Sequence, residues 1–494
     1  MTFDQAKESF LTTQRQAYSF LSAVALMYWD LQTIMPPKGV SSRSQVLGTL
    51  QGEIFRLTTS DAYGAVMDTL AEAPEKLSAR EKRMLELAQW SYNRNKKIPA
   101  DAYEAFSVLT AQANHLWKGA KEKNDYASFA PHLQKIIDYA RQFAEYWGYA
   151  DKPYDAMLAE YDPALLTAQI DPIFSQLLSG TRKLLSRAGE NVALPNVTVP
   201  PERQKAVGEY LLAAMGYDLD AGNLFTTEHP FTCSIHSGDT RVTTKYHPTQ
   251  PLSSIFSVLH EGGHGLYDQN VSPELDGTNL RDSLSMSIHE SQSRFWENTV
   301  GRSLAFWETH LEKVNQLSGV ALCDDPKTFF RAINAVRPSL IRIEADELTY
   351  NLHIIIRYEL EKAIFNDGVN SDALPELWAA KYEEYLGVRP KTYAEGVLQD
   401  SHWSGGSFGY FPSYALGNLC AAQFANAFEK QHGPLSGHVQ TPEGIALLVN
   451  WQKENIHRYG AEETPRRIME RVCGENINPD FFLQYIEKKL AEVY

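Results

Sequence analysis

The sequence predicts a mostly α-helical protein that folds as one large domain with a small antiparallel β-sheet. Apolar residues recur at helical spacing through long stretches without glycine, namely residues 3–27, 78–95 and 128–147. No glycine- and serine-rich linker, low-complexity tract or fixed-period repeat divides the chain. Only residues 231–246 show the alternation of apolar and polar residues that is typical of strands.

Further helices are predicted from their start signals. A proline follows an acid at Asp162-Pro163 and at Asp171-Pro172. In both pairs the acid can cap a helix, and the proline suits the first helical position. The first pair predicts a short helical stretch, and the second predicts a helix that runs to about Leu185. Apolar spacing predicts another helix over residues 202–215.

The alternating segment predicts a β-hairpin. Apolar and polar residues alternate over 231–236 and again over 242–246, and the Ser-Gly-Asp sequence at 237–239 has the composition of a turn. An exposed edge strand can hold an extended peptide through main-chain hydrogen bonds. A small hairpin with a purely structural role is the alternative.

Composition and charge narrow the function classes. The formal net charge of -15 argues against nucleic acid or an anionic membrane as a partner. No run of about 18 uncharged apolar residues is present, so no membrane span is predicted, and no secretory signal is recognised at the N-terminus. The four cysteines lie far apart without a CxxC pair, which favours reduced thiols in a cytoplasmic protein over a disulfide scaffold.

Residues 260–264, His-Glu-Gly-Gly-His, have the H-E-x-x-H form of a zinc site. On a helix, His260 and His264 lie one turn apart on the same face, so both imidazoles can reach one ion. Glu261 lies about 100° round the helix from His260, close enough to act on a water at the ion. Two surface histidines with a solvated glutamate are the alternative. Gly262 and Gly263 argue against it, because each costs a helix about 1 kcal/mol and suggests a close neighbour.

A catalytic zinc ion usually takes three protein ligands and one water. The spacing that would supply a third histidine is absent, so a glutamate on a following helix is the common choice. Glu290 fits, since it lies in a predicted helical stretch over residues 282–294 that has apolar positions at Leu284 and Ile288. Two alternatives remain: Glu290 could pair with Arg294 at i+4, and His289 could replace Glu290 as the ligand.

This constellation predicts a zinc-dependent peptide hydrolase. Zinc lowers the pKa of its water towards about 7. Glu261 then takes a proton from that water as it attacks the peptide carbonyl, and passes it to the leaving amine. The oxyanion needs a further donor. The histidines also need orienting partners, for which Asp282, Asp346 and Asp400 are all possible.

Six short motifs in the sequence carry a resemblance to a known family. In chain order they are HPF at 229–231, DTRVT at 239–243, HEGGH at 260–264, HESQ at 289–292, IRIEAD at 341–346 and GVLQDSHW at 396–403. Each motif alone is weak, but the set in this order is specific. The chain resembles the thermostable metallocarboxypeptidases typified by carboxypeptidase Taq.

The resemblance implies more than the spacing does. It implies broad-specificity release of C-terminal amino acids, a long deep substrate groove, a small sheet beside the zinc site and a homodimer. It also implies one zinc ion per subunit, for which cobalt can substitute, and it favours Glu290 as third ligand. Within one domain over 1–494, we expect a helical N-terminal part to about residue 220, a catalytic part over about 221–420, and C-terminal helices over about 421–494.

A carboxypeptidase must bind a free carboxylate, which arginine does best through two parallel hydrogen bonds. Arg342, expected on a helix that continues past Leu348, is the first choice, with Arg241 and Arg337 as weaker candidates. An ordinary ion pair between Arg342 and Asp346 at i+4 is the alternative.

The stretch from residue 402 to 414 is rich in glycine and aromatic residues. It resembles the loop of related helical metallopeptidases that offers a histidine and a tyrosine to the substrate, which makes His402 a binding candidate. Tyr410, and then Tyr414, are candidates to stabilise the oxyanion. A loop packed only for structure is the alternative. His236, on the polar face of the hairpin, could also contact substrate.

Two other functions stay open on the sequence. The same fold and metal could cleave internal bonds of short peptides. The chain could also be a helical binding protein with a structural zinc, but such a site is closed by four protein ligands and only three good candidates are found.

Overall fold

The computed structural model of the protein describes residues 1–163, 165–283 and 285–494. Helices predominate in these ranges. Those that precede the sheet are α1 (Phe3–Gln32), α2 (Val40–Thr59), α3 (Asp61–Ala71), α4 (Ala79–Lys97), α5 (Ala100–Lys123), α6 (Tyr126–Trp147), α7 (Pro153–Leu158), α8 (Thr167–Leu185) and α9 (Pro201–Ala214).

The helices that follow the sheet carry most of the site. They are α10 (Pro251–Asn270), α11 (Met286–Arg294), α12 (Leu304–Ser318), α13 (Pro326–Ile333), α14 (Glu347–Asn366), α15 (Leu374–Leu386), α16 (Phe411–His432), α17 (Leu435–His438), α18 (Pro442–Asn455), α19 (Pro465–Cys473) and α20 (Pro479–Val493). Residues Phe295–Val300 extend α11 as a π-helical segment. The predicted mostly helical fold class is confirmed.

Helix starts follow the capping signals in the sequence. α4 begins after Ser78, whose hydroxyl accepts from the backbone N–H of Glu81 while Glu81 accepts from the N–H of Ser78, which makes a capping box. α6 is capped by Asp125. The predicted helices over residues 3–27, 78–95, 128–147 and 202–215 are therefore confirmed, with boundaries that shift by a few residues.

The short helix expected at Asp162-Pro163 is wrong. Residues 161–163 form a turn, and the buried Asp162 carboxylate opens no helix of its own but accepts from the backbone N–H of Ser287, in the first turn of α11, at 3.3 Å. It accepts hydrogen bonds from the hydroxyls of Ser285, Ser287 and Ser413. Asp162 thus ties the start of α11 to α16, because three buried hydroxyl donors stabilise a carboxylate away from water.

The start of α8 also differs from the prediction. The helix begins at Thr167, four residues before Asp171, so the Asp171-Pro172 pair lies inside it. The reason is a more distant cap: the backbone N–H and the hydroxyl of Thr167 both donate to Asp155 at 2.7 Å. The predicted end at Leu185 is confirmed.

The sheet has three strands, β1 (Leu224–Thr226), β2 (Thr232–His236) and β3 (Asp239–Thr244), in the order β1-β3-β2. The predicted hairpin is confirmed as β2 and β3, which pair antiparallel. The expectation of an antiparallel sheet is wrong for β1, which pairs parallel with β3. β1 is only three residues long, so no alternation marks it in the sequence. β2 is left as an edge strand.

Glycines let the helices around the sheet approach one another closely. A Cβ on Gly263 of α10 would lie 2.5 Å from the carbonyl oxygen of Gln292 in α11. A Cβ on Gly417 of α16 would lie 2.7 Å from Cγ of Glu290. The close neighbour that the Gly262-Gly263 pair predicted is therefore a helix. α10, α11 and α16 meet at this point because none of these positions carries a side chain.

Two clusters of buried apolar residues stabilise the fold. One surrounds α10 and includes Leu259, Trp296 and Phe306, and the other surrounds α14 and includes Leu352 and Trp378. α14 and α16 are buried almost all round, as expected for central helices. Among the residues that the structure describes, no helix is long and apolar enough to cross a membrane.

We expect Gly263→Ala to reduce the free energy of unfolding by about 1–3 kcal/mol, because the added methyl group meets backbone that cannot rotate away. Gly119→Ala is the matched control, since nothing lies within 4 Å of its Cβ position near the C-terminal end of α5. That variant should be neutral or more stable by up to about 1 kcal/mol. Chemical denaturation of both variants measures the difference, and equal stability would contradict the close helix contact.

Candidate metal centre and substrate site

Three side chains of the kinds that bind metal ions meet between α10 and α11. Nε2 of His264 lies 3.3 Å and Nε2 of His260 lies 3.7 Å from Oε2 of Glu290. The ligand atoms of the three residues all lie within 4.8 Å of one another. His260 and His264 are one helical turn apart, as the motif predicts, and α11 presents Glu290 to both. The arrangement has the size and composition of a site for one metal ion.

The helix that carries Glu290 is shorter than predicted. It begins at Met286, where the Ser285 hydroxyl caps it by accepting from the N–H of Ile288. Asp282 and Ser283 precede the helix, and Leu284, an expected apolar position, lies outside the described residues.

The predicted alternatives for Glu290 coexist. Arg294 Nε donates to Oε1 of Glu290 at 2.7 Å, while Oε2 faces the two histidines. Ion pairing therefore fixes the carboxylate, and its second oxygen, which accepts from the Ser293 hydroxyl at 3.1 Å, is directed at the site. His289, the rival ligand, points elsewhere: its Nε2 lies 3.2 Å from Oδ1 of Asp268. Its ring stacks on that of His264, with centroids 4.5 Å apart.

Glu297 holds the second nitrogen of His260, with Oε2 2.9 Å from Nδ1. Arg294 Nη1 donates to the same oxygen at 3.2 Å. Glu297 is not among the three aspartates predicted to orient the histidines. Of these, Asp346 caps α14 and Asp400 binds two arginines. The signal was available, because Glu297 follows Glu290 by seven residues, which is two helical turns.

Burial and neighbouring charges set the protonation states of the centre. Burial alone would raise the pKa of Glu290, but the charges of Arg294 and His260 outweigh it and hold the pKa well below its usual range. Burial would also raise the pKa of Glu297, but the nearby positive charges, mainly that of Arg294, outweigh burial and lower this pKa to about 2. Burial lowers the pKa of His264 to about 4. Glu290 is therefore charged and His264 is neutral, the states that metal ligands require, whereas the charges of Glu290 and Glu297 outweigh burial and raise the pKa of His260.

Glu261 is buried beside the three donors and is held by the sheet. The hydroxyl of Thr232, the first residue of β2, lies 2.8 Å from Oε2 of Glu261 and 2.9 Å from its main-chain carbonyl. Burial raises the pKa of Glu261. The contact fixes one carboxylate oxygen and ties the edge strand to the helix that carries the metal motif.

Arg342 lies in a short 3₁₀ turn ahead of α14, and not on a helix as expected. The expected alternative, an ion pair with Asp346, is also wrong. Nε and Nη2 of Arg342 donate to Oδ1 of Asp400 at 3.0 and 2.8 Å, and Nη1 donates to the hydroxyl of Tyr350 at 3.0 Å. Arg357 also forms an ion pair with Asp400. The guanidinium of Arg342 is thus oriented by buried partners from two directions.

The aromatic residues of the 402–414 stretch gather beside Arg342. Nε2 of His402 lies 3.2 Å from the hydroxyl of Tyr414, and the rings of Tyr410 and Tyr414 meet edge to face at 5.0 Å. The guanidinium of Arg342 lies 5.0 Å from the ring of Tyr414. Burial raises the pKa of Tyr410, and the charge of Glu290 raises it further.

The other two substrate candidates lie on the hairpin with structural partners. His236 is half-exposed, and its Nε2 lies 3.1 Å from Asp276. Arg241 donates to both oxygens of Asp239 and stacks on Trp29 of α1, 4.4 Å from the ring centre. The structure does not bring either residue to the cluster around Arg342.

Comparison with known proteins gives full-length matches. The family model "Carboxypeptidase Taq (M32) metallopeptidase" matches residues 9–490. The chain is 40% identical over 494 residues to carboxypeptidase 1 of Bacillus subtilis, covering 99% of this chain and 98% of that protein. It is 38% identical over 514 residues to thermostable carboxypeptidase 1 of Thermus thermophilus, covering 100% of both. The crystal structure of an M32 carboxypeptidase from Deinococcus radiodurans gives a TM-score of 0.93 at 32% identity, over 99% of both chains.

We expect Glu297→Ala to weaken metal binding by about 10–100-fold, because His260 loses the partner that orients its ring. Competition with a chelator measures this affinity. Glu308→Ala, which removes an exposed carboxylate on α12, is the matched control and should bind metal as the unmodified protein does. Equal affinities in the two variants would remove Glu297 from the account. Unfolding of both metal-free variants separates a loss of affinity from a loss of fold.

Proposed function

Because the chain belongs to the carboxypeptidase Taq (M32) family of metallopeptidases, we propose that it removes C-terminal residues from peptides by zinc-dependent hydrolysis. The observation that carries the proposal is the convergence of His260, His264 and Glu290, with the buried carboxylate of Glu261 beside them. Three protein donors and an adjacent base are the minimum set for metal-assisted hydrolysis of an amide.

The donor set suits zinc, which commonly takes two imidazoles and one carboxylate in catalytic sites. His260 offers Nε2 because its Nδ1 is occupied by Glu297, and Glu290 offers Oε2 because its Oε1 is occupied by Arg294. A bound zinc ion supplies Lewis acidity, which polarises the substrate carbonyl and lowers the pKa of water. Cobalt is expected to substitute, because it accepts the same nitrogen and oxygen donors.

Glu261 is the proposed general base. Thr232 occupies Oε2, so Oε1 is the oxygen that takes a proton from the attacking water and delivers it to the leaving amine. The raised pKa of Glu261 makes the carboxylate a better proton acceptor than an exposed glutamate. Because Thr232 belongs to the edge strand, this hydrogen bond fixes the position of the base relative to the strand.

Tyr410 and Tyr414 are the proposed donors to the oxyanion. Burial raises the pKa of both hydroxyls, so both stay protonated and can donate. The hydroxyl of Tyr414 is already close to His402, so Tyr410 is the first choice.

Arg342 and His402 are proposed to bind the substrate carboxylate. Arg342 and Arg357 carry two positive charges against the single negative charge of Asp400, so this end of the site favours an anion. Burial lowers the pKa of His402 to about 4, which makes it a neutral hydrogen-bond donor. The contacts with Asp400 and Tyr350 hold the Arg342 guanidinium in one orientation before the carboxylate arrives.

The edge of β2 is proposed to hold the peptide in an extended conformation. β3 pairs with one side of β2, and the opposite edge begins at Thr232, next to Glu261. Nearer the turn, the hydroxyl of Ser22 on α1 already donates to the carbonyl of Ile235. The free part of the edge is therefore the part closest to the proposed base. His236 and Arg241 keep weaker proposed roles as distant substrate contacts.

Other properties of the family are proposed on the resemblance. We propose broad side-chain specificity and assembly as a homodimer. The four free cysteines agree with the proposal of a cytoplasmic location.

We expect Glu261→Gln to lower kcat by about 10²–10⁴-fold, because the amide cannot accept the proton from the attacking water. Bound zinc, measured by elemental analysis, and thermal stability should stay unchanged. Glu274→Gln, at a side chain that is 72% exposed in the turn after α10, is the matched control and should retain full activity. A fully active, zinc-loaded Glu261→Gln variant would exclude Glu261 as the base.

We expect Arg342→Ala to raise KM for short peptides by about 10–100-fold, the loss of one charge-assisted carboxylate contact. Arg389→Ala, which removes a surface ion pair with Glu376, should leave KM unchanged.

Mass spectrometry of the products separates the two enzyme functions. Stepwise loss of single C-terminal residues, abolished when the substrate ends in an amide, supports a carboxypeptidase. Internal cleavage of the amidated peptide would establish the oligopeptidase alternative in its place.

A further inference from the structure

α14 carries a stripe of buried polar side chains beneath the substrate site. His353, Arg357 and Glu361 are spaced four residues apart, so they share one face of the helix, and all three are 0% exposed. The stripe lies against the segment that leads to Tyr410. Arg357 donates to Asp400 at 2.7 Å, and Glu361 binds the loop that follows, residues 402–410.

Glu361 accepts a hydrogen bond near each end of the 402–410 loop. Nε1 of Trp403 donates to Oε1 at 2.7 Å, and the backbone N–H of Gly409 donates to Oε2 at 2.9 Å. Trp403 follows His402 in the chain and Gly409 precedes Tyr410. One carboxylate thus fixes the immediate neighbours of both side chains that are proposed to contact the substrate.

The 402–410 loop has little freedom to move around these contacts. Gly409 has a φ of +90°, and a Cβ there would lie 2.4 Å from the carbonyl oxygen of Met157. Gly406 has a φ of +77°, and its Cβ would lie 2.5 Å from the ring of Phe106 on α5. The loop therefore runs directly against α5 and α7, and Glu361 determines where its two ends lie on α14.

The buried carboxylate of Glu361 is not there to stabilise the fold. Its hydrogen-bond partners among the described residues are Trp403, Gly409 and the hydroxyl of Tyr154 at 2.5 Å, and all three are neutral. Burying a carboxylate that hydrogen-bonds only to neutral groups costs free energy that an apolar side chain would not cost, and the charge of Arg357, one helical turn earlier, offsets this cost only in part. Burial accordingly raises the pKa of Glu361 to about 7. What the carboxylate provides, and an apolar residue cannot, is two acceptors with a fixed separation.

We propose that Glu361 is a positioning residue that holds His402 and Tyr410 at the spacing needed to bind the peptide carboxylate and the oxyanion together. This inference rests on the proposed function of these two side chains. It assigns to α14 the task of setting the distance between the scissile bond and the C-terminus, which is the distance that restricts a peptidase to single-residue removal.

Steady-state kinetics of Glu361→Gln on a short peptide test the inference. The amide keeps the shape but directs an N–H at one of the two loop donors. We expect kcat/KM to fall at least tenfold while bound zinc stays at the level of the unmodified enzyme. Glu359→Gln is the matched control: this residue lies on the same helix and pairs with Lys381 and Tyr385, away from the loop. Unmodified kinetics in Glu361→Gln would overturn the inference.

A mutant cycle with Tyr410→Phe and His402→Ala distinguishes positioning from general destabilisation. If Glu361 acts through these two side chains, adding Glu361→Gln to a variant that carries both changes should slow it no more than about twofold. A slowing as large as that of Glu361→Gln alone would show that Glu361 acts independently of both side chains, and would overturn the inference.

Trp403→Phe provides a second route if Glu361→Gln fails to fold. It removes one of the two loop donors and leaves the carboxylate in place, and we expect the same fall in kcat/KM with zinc retained. Trp403→Phe with unmodified kinetics would overturn the inference. An unmodified protein that binds zinc but hydrolyses no peptide would overturn the proposed function instead, so the two failures are distinguishable.

Discussion

Backbone contact between α10 and α11 determines the geometry of the site. At Gly263 the two helices are so close that a single methyl group would collide with the Gln292 carbonyl. This contact brings the histidines of one helix to within 3.3 to 3.7 Å of Glu290 on the other. Gly417 repeats the arrangement on the opposite side of Glu290, where α16 crosses. Any side chain at these positions would push the helices apart and separate the donors. The close packing of the helices is therefore required for the three donors to meet.

Charge pairing then decides which atoms remain free in the centre. Arg294 lies between Glu290 and Glu297 and takes one oxygen from each, and Glu297 in turn takes Nδ1 of His260. Each of these contacts restricts the orientation of the side chain that makes it. His264 is held differently, by stacking on His289, since its Nδ1 is buried and has no hydrogen-bond partner among the described residues. The site is thus pre-organised by a chain of hydrogen bonds from His260 to Glu290 and by one aromatic contact.

Local patterns predicted the features that depend on local spacing. The helical class, the β2–β3 hairpin and the meeting of His260 with His264 and Glu290 all follow from periodicity or motif spacing. Features that depend on distant partners were not predictable in this way. The apolar spacing that continues beyond Arg342 predicts a helix there, whereas the residue lies in a 3₁₀ turn.

The partner that fixes Arg342, Asp400, lies 58 residues further along the chain. The start of α8 differs from the prediction for the same reason, since Asp155 caps it from outside the helix. Nothing in the sequence periodicity reports such contacts, because they depend on how separate elements pack.

The π-helical segment Phe295–Val300 makes the centre sensitive to chain length as well as to side-chain identity. A π turn holds one residue more than an α turn, so Trp296 and Val300 stay fully buried while Glu297 faces His260. Deleting or inserting one residue here would rotate the flanking helix by about 100° and take either the carboxylate or the core residues out of place. Homologous chains that keep this centre should therefore tolerate substitutions in the segment far better than gaps.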